Sequence, residues 1–382
     1  MPELRRQLDP WRLFFPSALL LAPVNVLAWL ALRFGLIDWP VSVSAAWHGR
    51  EMLFGYSFAV IAGYLLQAMA TPLVLLLWLL WLAGRLLWLV PPAVLDPRLE
   101  LLIGGAFPAV LAVLGTRRFL AVKRARNVAF PLIMVALGFA AVGSYATELG
   151  LLPSPERSVV ALSVYVVALL IMVMGGRAVS TATVGALRFR GHYVRIPPRP
   201  GLEAATALGM LAFMALDGSG QLQSAGLVSL VIAMILVLRM RDWHFSGVLH
   251  DPETWPLHLG MLWLALGLAL IGLERLGAIS LPDAGALHAL AAGGIGTVTL
   301  VMVLRVTRQR AGELPASTGW LQALQLIMAL AVLLRVGGGW AFPEHRSLLL
   351  WLSAVAWAMA FGLGAAQVLP AVLRPSRGTE EA

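Results

Sequence analysis

Long apolar runs alternate along the chain with short polar or Pro/Gly-rich connections. A helix needs about 20 apolar residues to cross the roughly 30 Å hydrocarbon core of a bilayer. We place twelve such runs at residues 13–36, 47–69, 71–90, 99–116, 128–148, 158–176, 202–217, 221–240, 256–274, 284–305, 318–336 and 347–370. The pattern predicts an all-α, polytopic membrane helix bundle of about twelve transmembrane helices over residues 13–370, flanked by the polar segments 1–12 and 371–382.

The charges in the connections predict the orientation of these helices. Basic residues fall in every second connection, and the segment 188–199 holds four arginines and no acid. The connections between them carry acids instead, among them Glu148, Asp217 and Asp283. Because Lys and Arg are enriched in cytoplasmic loops, we expect both termini to be cytoplasmic.

Composition narrows the classes of chemistry open to the chain. Residues are 60% hydrophobic and 12% charged, whereas soluble domains carry about 25% charged residues, so lipid is the expected partner. The absence of cysteine excludes disulfides, thiolate metal sites and cysteine nucleophiles. The net charge of +9 comes mainly from basic residues in short loops. The orientation of the helices in the membrane accounts for these residues, and we therefore expect no nucleic-acid partner.

Two histidines at the start of outward-facing spans are candidate ligands. His48 opens the second span and His288 lies about one turn into the tenth. Small residues follow on each helix face, with Gly55 below His48 and Gly296 below His288, and they would leave room for a flat group such as haem between the two helices. Neutral imidazole is a common axial ligand of haem iron. The alternative is that the small residues serve close helix packing and that each imidazole hydrogen-bonds a neighbour.

Ionisable residues near membrane depth are further candidates, because each one needs a partner or water. Arg50 and Glu51 are adjacent on the second span and need separate partners. Arg50 could pair with a haem propionate or reach water, and Glu51 or a backbone carbonyl could accept the ring proton of a ligating imidazole. His258, at the start of the ninth span, is a third candidate metal ligand or a packed histidine beside Arg239 and Arg241.

Several blocks of the chain resemble the NnrS family, haem- and copper-containing bacterial membrane proteins associated with the response to nitric oxide. These blocks lie at residues 46–56, 62–66, 175–177, 257–264 and 286–299. The resemblance implies haem as cofactor, His48 and His288 as its ligands near Arg50, Glu51, Gly55 and Gly296, and nitric oxide as a partner. It also implies the inner membrane of a bacterium and a role in nitrosative stress or denitrification.

Two departures from the family pattern concern copper. Arg50 stands where the family's Trp-His-x-His-Glu element has its second histidine, and Arg308-Gln309-Arg310 replaces an element similar to Gly-His-Thr-Gly. We therefore expect copper to be weakly bound or absent. The competing function is a cofactor-free membrane transporter or permease, which inverted repeats and interrupted spans would favour.

Overall fold

The protein is described by a computed structural model, which covers residues 7–37, 44–91, 94–121, 129–153, 158–313 and 319–374. Helices dominate these segments. The α-helices are α1 (Trp11–Arg33), α2 (Ala45–Arg50), α3 (Phe58–Leu65), α4 (Thr71–Leu86), α5 (Pro97–Ala121), α6 (Ala129–Glu148), α7 (Val159–Phe189), α8 (Pro200–Gly218), α9 (Leu222–Met240), α10 (Trp255–Arg275), α11 (Gly285–His288), α12 (Thr297–Ala311), α13 (Gly319–Leu333), α14 (Gly339–Ala341) and α15 (Arg346–Leu373). Two short strands, β1 (Gln7–Leu8) and β2 (Met69–Ala70), pair antiparallel.

Within the described segments, three helical runs contain π-helical turns. Glu51–Ser57 joins α2 to α3, Ala289–Gly296 joins α11 to α12, and Leu334–Gly338 joins α13 to α14. A π-turn widens the helix locally and is found frequently at functional sites. The first two of these segments begin within three residues of His48 and His288 respectively.

The prediction of a polytopic all-α membrane protein is confirmed. Within the described segments, eleven helices are long and apolar enough to cross a membrane. The remaining predicted span is the second, 47–69, which corresponds to the helical run from Ala45 to Leu65; its charged residues Arg50 and Glu51 make it less apolar. Large apolar side chains on the helices, such as those of Leu132, Phe139 and Leu208, are exposed, as expected where lipid is the solvent.

The observed helix ends agree with the predicted spans to within a few residues, with two clear exceptions. The sixth span was expected to end at 176, but α7 continues to Phe189. Likewise α12 continues to Ala311, so the segment Arg308-Gln309-Arg310 is helical rather than a loop after the span. In both places polar residues mark where the apolar run ends, and the backbone hydrogen bonds of the helix continue past it.

The chain divides into two compact units that are discontinuous in sequence. Unit 1 comprises Met1–Val160, Met302–Pro315 and Phe361–Ala382. Its helices α1 and α3 pack together, as do α4, α5 and α6 in succession. Unit 2 comprises Ala161–Val301 and Ala316–Ala360, and in it α9 packs against both α8 and α10, while α10 also packs against the π-helical segment Ala289–Gly296.

Candidate functional site

His48 lies in unit 1, where α1 supplies two contacts that orient its ring. Nδ1 is 2.7 Å from Oδ1 of Asn25, and the imidazole stacks on Trp29 with ring centroids 5.9 Å apart and planes inclined by 12°. An amide oxygen can only accept, so Nδ1 carries the proton and the tautomer has its lone pair on Nε2. A partner that fixes the ring and its tautomer in this way is typical of metal-binding histidines.

His288 lies in unit 2 and is oriented by its backbone and by an arginine. Its Nδ1 is 3.0 Å from the carbonyl oxygen of Ala284, so this imidazole too has its lone pair on Nε2. Nη2 of Arg335 is 3.0 Å from Nδ1 and 3.2 Å from Nε2 of His288, and it also donates to the carbonyl of Asp283 at 2.6 Å. Because Nδ1 carries the proton, the guanidinium can donate only to Nε2 of the ring, so it holds the imidazole to the preceding loop and would have to move for Nε2 to bind iron.

The loop before His288 is held in an unfavourable backbone conformation. Asp283 and Ala284 have φ values of 53° and 56°, a left-handed conformation that residues with a Cβ adopt rarely. The carboxylate of Asp283 is 2.6 Å from Nη2 of Arg346, an ion pair that helps to hold the loop in place. Strain of this kind concentrates at functional sites. Here it includes Ala284, whose carbonyl accepts the hydrogen bond that orients His288.

A buried charge network begins two residues after His48, in unit 1. Glu51 is 2% exposed, and its carboxylate is 2.7 Å from Nε of Arg85 and 3.6 Å from Nε of Arg50. Arg85 also donates to the hydroxyl of Tyr145 at 2.5 Å. Arg50 pairs with Glu148, and its guanidinium lies 4.3 Å from the ring centroid of Tyr145. Two cations and two carboxylates thus balance each other.

This network shows which partners Arg50 and Glu51 have within the protein. The expectation that they need separate partners agrees with the geometry, since Glu148 pairs with Arg50 while Arg85 makes the shorter contact with Glu51. Asn25, rather than Glu51, accepts the hydrogen bond from His48. The pairing of Arg50 with a propionate stays a prediction, and such a pairing would compete with Glu148.

The space beside the glycines predicted to line a groove is filled by side chains of the protein itself. A Cβ on Gly55 would lie 2.9 Å from Cδ2 of Leu21 and 3.0 Å from Nη1 of Arg85. A Cβ on Gly296 would lie 2.5 Å from Cη2 of Trp357. Close packing therefore accounts for both glycines as the structure stands, and a flat group could lie against them only if these side chains moved. The tautomer of His48 suits an iron ligand, whereas Nε2 of His288 faces Arg335 and the two glycine faces are packed.

His258, in unit 2, is the most deeply buried of the candidate histidines, at 1% exposure. Its Nε2 is 2.8 Å from Oγ1 of Thr183, and that hydroxyl donates to the carbonyl of Val179 at 2.9 Å. Its ring contacts the aromatic rings of Trp243 and Phe245. The expectation that this histidine is buried is confirmed, and its role as a metal ligand stays a prediction.

Arg310, one of the residues that depart from the family's histidine pattern, has a clear structural role. Its Nη1 and Nη2 donate to the carbonyls of Gly63 and Tyr64, at 2.8 and 3.0 Å, and so satisfy acceptors at the end of α3. Within the described part of the chain, no group of three or more His, Asp or Glu side chains is arranged to hold a metal ion. Haem needs fewer protein ligands than such a group supplies, and copper can use other residues, so the weak or absent binding of copper stays a prediction.

Three residues at these sites were not anticipated from the sequence. Asn25, Arg85 and Arg335 each lie inside an apolar run, and each contacts one of the candidate residues. A polar or charged side chain within a span is itself a signal, so a search for such residues would have found all three. Their partners lie far away in sequence, which is why spacing alone did not reveal the pairs.

Comparison with known proteins agrees with the resemblance noted in the sequence. A search of curated proteins returned no match. The family model described as NnrS protein matches residues 8–376, nearly the whole chain. The chain therefore belongs to the NnrS family.

Proposed function

We propose that the chain is a haem-binding protein of the bacterial inner membrane that acts in the response to nitric oxide or in denitrification. The observation that carries the proposal is the orientation of His48, whose Nδ1 contacts Asn25 at 2.7 Å and whose ring stacks on Trp29. This arrangement supports an imidazole prepared to bind iron through Nε2. Membership of the NnrS family supports the link to nitric oxide.

His288 is the second proposed ligand. Its hydrogen bond to Ala284 gives it the same tautomer as His48, and a π-helical segment follows each of the two histidines. When bound, haem iron would supply a site for nitric oxide and for electron transfer. The part played by the chain is to orient each imidazole, through a side-chain amide at His48 and a backbone carbonyl at His288.

The visible spectrum of the purified protein tests the proposal. We expect a Soret band, which His48→Ala and His288→Ala each remove or shift, whereas His258→Ala leaves it nearly unchanged. Size-exclusion chromatography of each variant checks that it is folded. A protein expressed with adequate haem supply that shows no Soret band would contradict the proposal, as would a wild-type band in both the His48→Ala and His288→Ala variants.

Asn25 gives a sharper test, because its replacement leaves both proposed ligands in place. Asn25→Leu removes the acceptor for Nδ1 of His48, and loss of such a partner typically weakens metal binding by about 10- to 100-fold. Asn25→Asp keeps an acceptor and should retain the haem. Haem dissociation rates, measured by transfer to an apoprotein acceptor, compare the two variants. Equal rates in both would show that Asn25 does not orient an iron ligand.

Orientation in the membrane is a separate part of the proposal. Reporters fused after Arg195 should report cytoplasm, and reporters fused after Asp283 should report periplasm, because basic loops stay inside. A periplasmic result at Arg195 would contradict the proposed topology.

Copper content is measured on protein purified without added metal, and stoichiometric copper would overturn the expectation that it is weakly bound or absent.

A further inference from the structure

Arg335 occupies the one nitrogen of His288 that could bind a metal ion. Nδ1 of His288 donates to the carbonyl of Ala284, so the lone pair of the ring is on Nε2. Nη2 of Arg335 lies 3.2 Å from that nitrogen. A lone pair that accepts a hydrogen bond from a guanidinium cannot be donated to a metal ion at the same time. The contact with Arg335 and a bond from Nε2 to iron are therefore mutually exclusive.

The loop that precedes His288 keeps the guanidinium beside the ring. The same Nη2 donates to the carbonyl of Asp283 at 2.6 Å. The carboxylate of Asp283 is held in turn by its ion pair with Arg346. Asp283 is also one of the two residues of this loop with a left-handed backbone conformation. The strained loop thus provides the acceptor that positions Arg335.

The backbone that carries Arg335 is suited to a change of conformation. Arg335 is the second residue of the π-helical segment Leu334–Gly338, and residues 337–339 are all glycine. Nothing lies within 4 Å of the Cβ position of Gly337, and its φ is not positive. Neither packing nor backbone conformation therefore requires glycine there. Because glycine makes a helix less stable and a π-turn interrupts the regular α-helix, this segment favours a contact that can be made and released.

We propose that Arg335 is a releasable cap on His288, and that it has to leave Nε2 before this nitrogen can bind a ligand. The inference rests on the proposed function for the identity of that ligand, which is haem iron. The cap itself lies within unit 2 and can be measured without haem. It keeps the imidazole in one tautomer and closes it to other metal ions. Arg335 is thus a positioning residue that controls when His288 is available.

Reaction with diethyl pyrocarbonate tests the cap in the full-length protein purified without added haem. The reagent acylates the unprotonated nitrogen of an imidazole, and peptide mass spectrometry gives the rate for each histidine. His345, whose side chain is 60% exposed, serves as the internal reference. Arg335→Met keeps the length of the side chain and removes its donors. We expect it to raise the rate at His288 about tenfold relative to His345, as loss of a hydrogen bond from a charged donor implies.

An unchanged ratio of the two rates would overturn the proposal. If Arg335→Met does not fold, as judged by size-exclusion chromatography, Arg335→Gln takes its place with the same expectation. Arg346→Met separates the cap from the support of the loop, because it removes the ion pair with Asp283 and leaves Arg335 in the chain. The rate at His288 should rise much less in this variant. An equal rise would mean that movement of the loop exposes the ring, and the proposed cap would be wrong.

Titration with haem, followed by the Soret band, distinguishes the cap from the proposed function. We expect haem to associate about tenfold faster with Arg335→Met than with the wild-type protein, because Nε2 of His288 is then open. A faster reaction of His288 with the reagent and no Soret band in either protein would support the cap and contradict the haem proposal. A Soret band in both proteins with an unchanged rate at His288 would support haem binding and overturn the cap.

Discussion

The two units treat buried arginine differently. In unit 1, Arg50 and Arg85 contact the carboxylates of Glu148 and Glu51. In unit 2, Arg239 is equally buried, donates to the carbonyl of Met172 and, over the described residues, pairs with no carboxylate. Removing one member of a buried ion pair leaves the other charge uncompensated, whereas a cation that donates only to a carbonyl has no such partner to lose. The comparison shows that burial alone does not tell how strongly an arginine depends on a neighbouring charge.

The largest loss of stability should come from removing one charge of the buried network in unit 1. Glu51→Gln leaves Arg85 buried without its nearest carboxylate and should lower the free energy of unfolding by about 3–5 kcal/mol. The control is Glu313→Gln, which removes a half-exposed partner of Arg374 and should cost about 1 kcal/mol or less. Melting temperatures in the same nanodiscs compare them. Similar losses in the two variants would mean that the unit 1 network is not stabilised by its charge balance.

A smaller effect should come from crowding Arg239 in unit 2. Gly176→Ala puts a Cβ 2.5 Å from Nη2 of this guanidinium, and overpacking of this kind costs about 1–3 kcal/mol. Gly185→Ala on the same helix is the matched control, because nothing lies within 4 Å of its Cβ position. Alanine should be neutral there or stabilising by up to about 1 kcal/mol. Thermal melting of both variants provides the test, and a neutral Gly176→Ala would show that Arg239 moves freely.

The smallest effect concerns an exposed ion pair of unit 2, outside the spans. The hydrogen bond from Arg199 holds the pKa of Asp242 below its ordinary range. The stabilisation is therefore present above about pH 4 and is lost as the pH falls below that value. We expect Asp242→Asn to lower the melting temperature slightly at pH 7 and to have a smaller effect near pH 3. A larger difference at acidic pH than at neutral pH would contradict the sign of this shift.

The helices were predictable because hydropathy and length determine where a chain can cross lipid. Every predicted span corresponds to a helical run in the structure. The π-helical segments Glu51–Ser57 and Ala289–Gly296 were not predicted, because a wider turn leaves no mark in the hydropathy pattern. Nor was the division into two units, since it depends on which helices pack together.

The candidate site was predictable only in part. His48 and His288 could be singled out because histidine is rare in a span and has few roles there. Their partners Asn25 and Arg335 come from helices distant in sequence, and only the fold brings them near. Arg239 fell at the end of the predicted span 221–240, and the structure adds that its side chain is buried. Its contacts with Met172 and Gly176 depend on the fold and could not be read from its neighbours in sequence.

The contact between the first and last helices sets a limit on how the protein is made. Nη1 of Arg12, in the first turn of α1, donates to the carbonyls of Val372 and Arg374, at 2.7 and 2.6 Å. These partners are separated by 360 and 362 residues. At a synthesis rate of about 5–20 residues per second, α1 waits roughly 20 to 70 s in the membrane for its partner to emerge. Unit 1 is therefore begun first and finished last, and a ribosome that stops before Phe361 releases a chain in which this unit is incomplete.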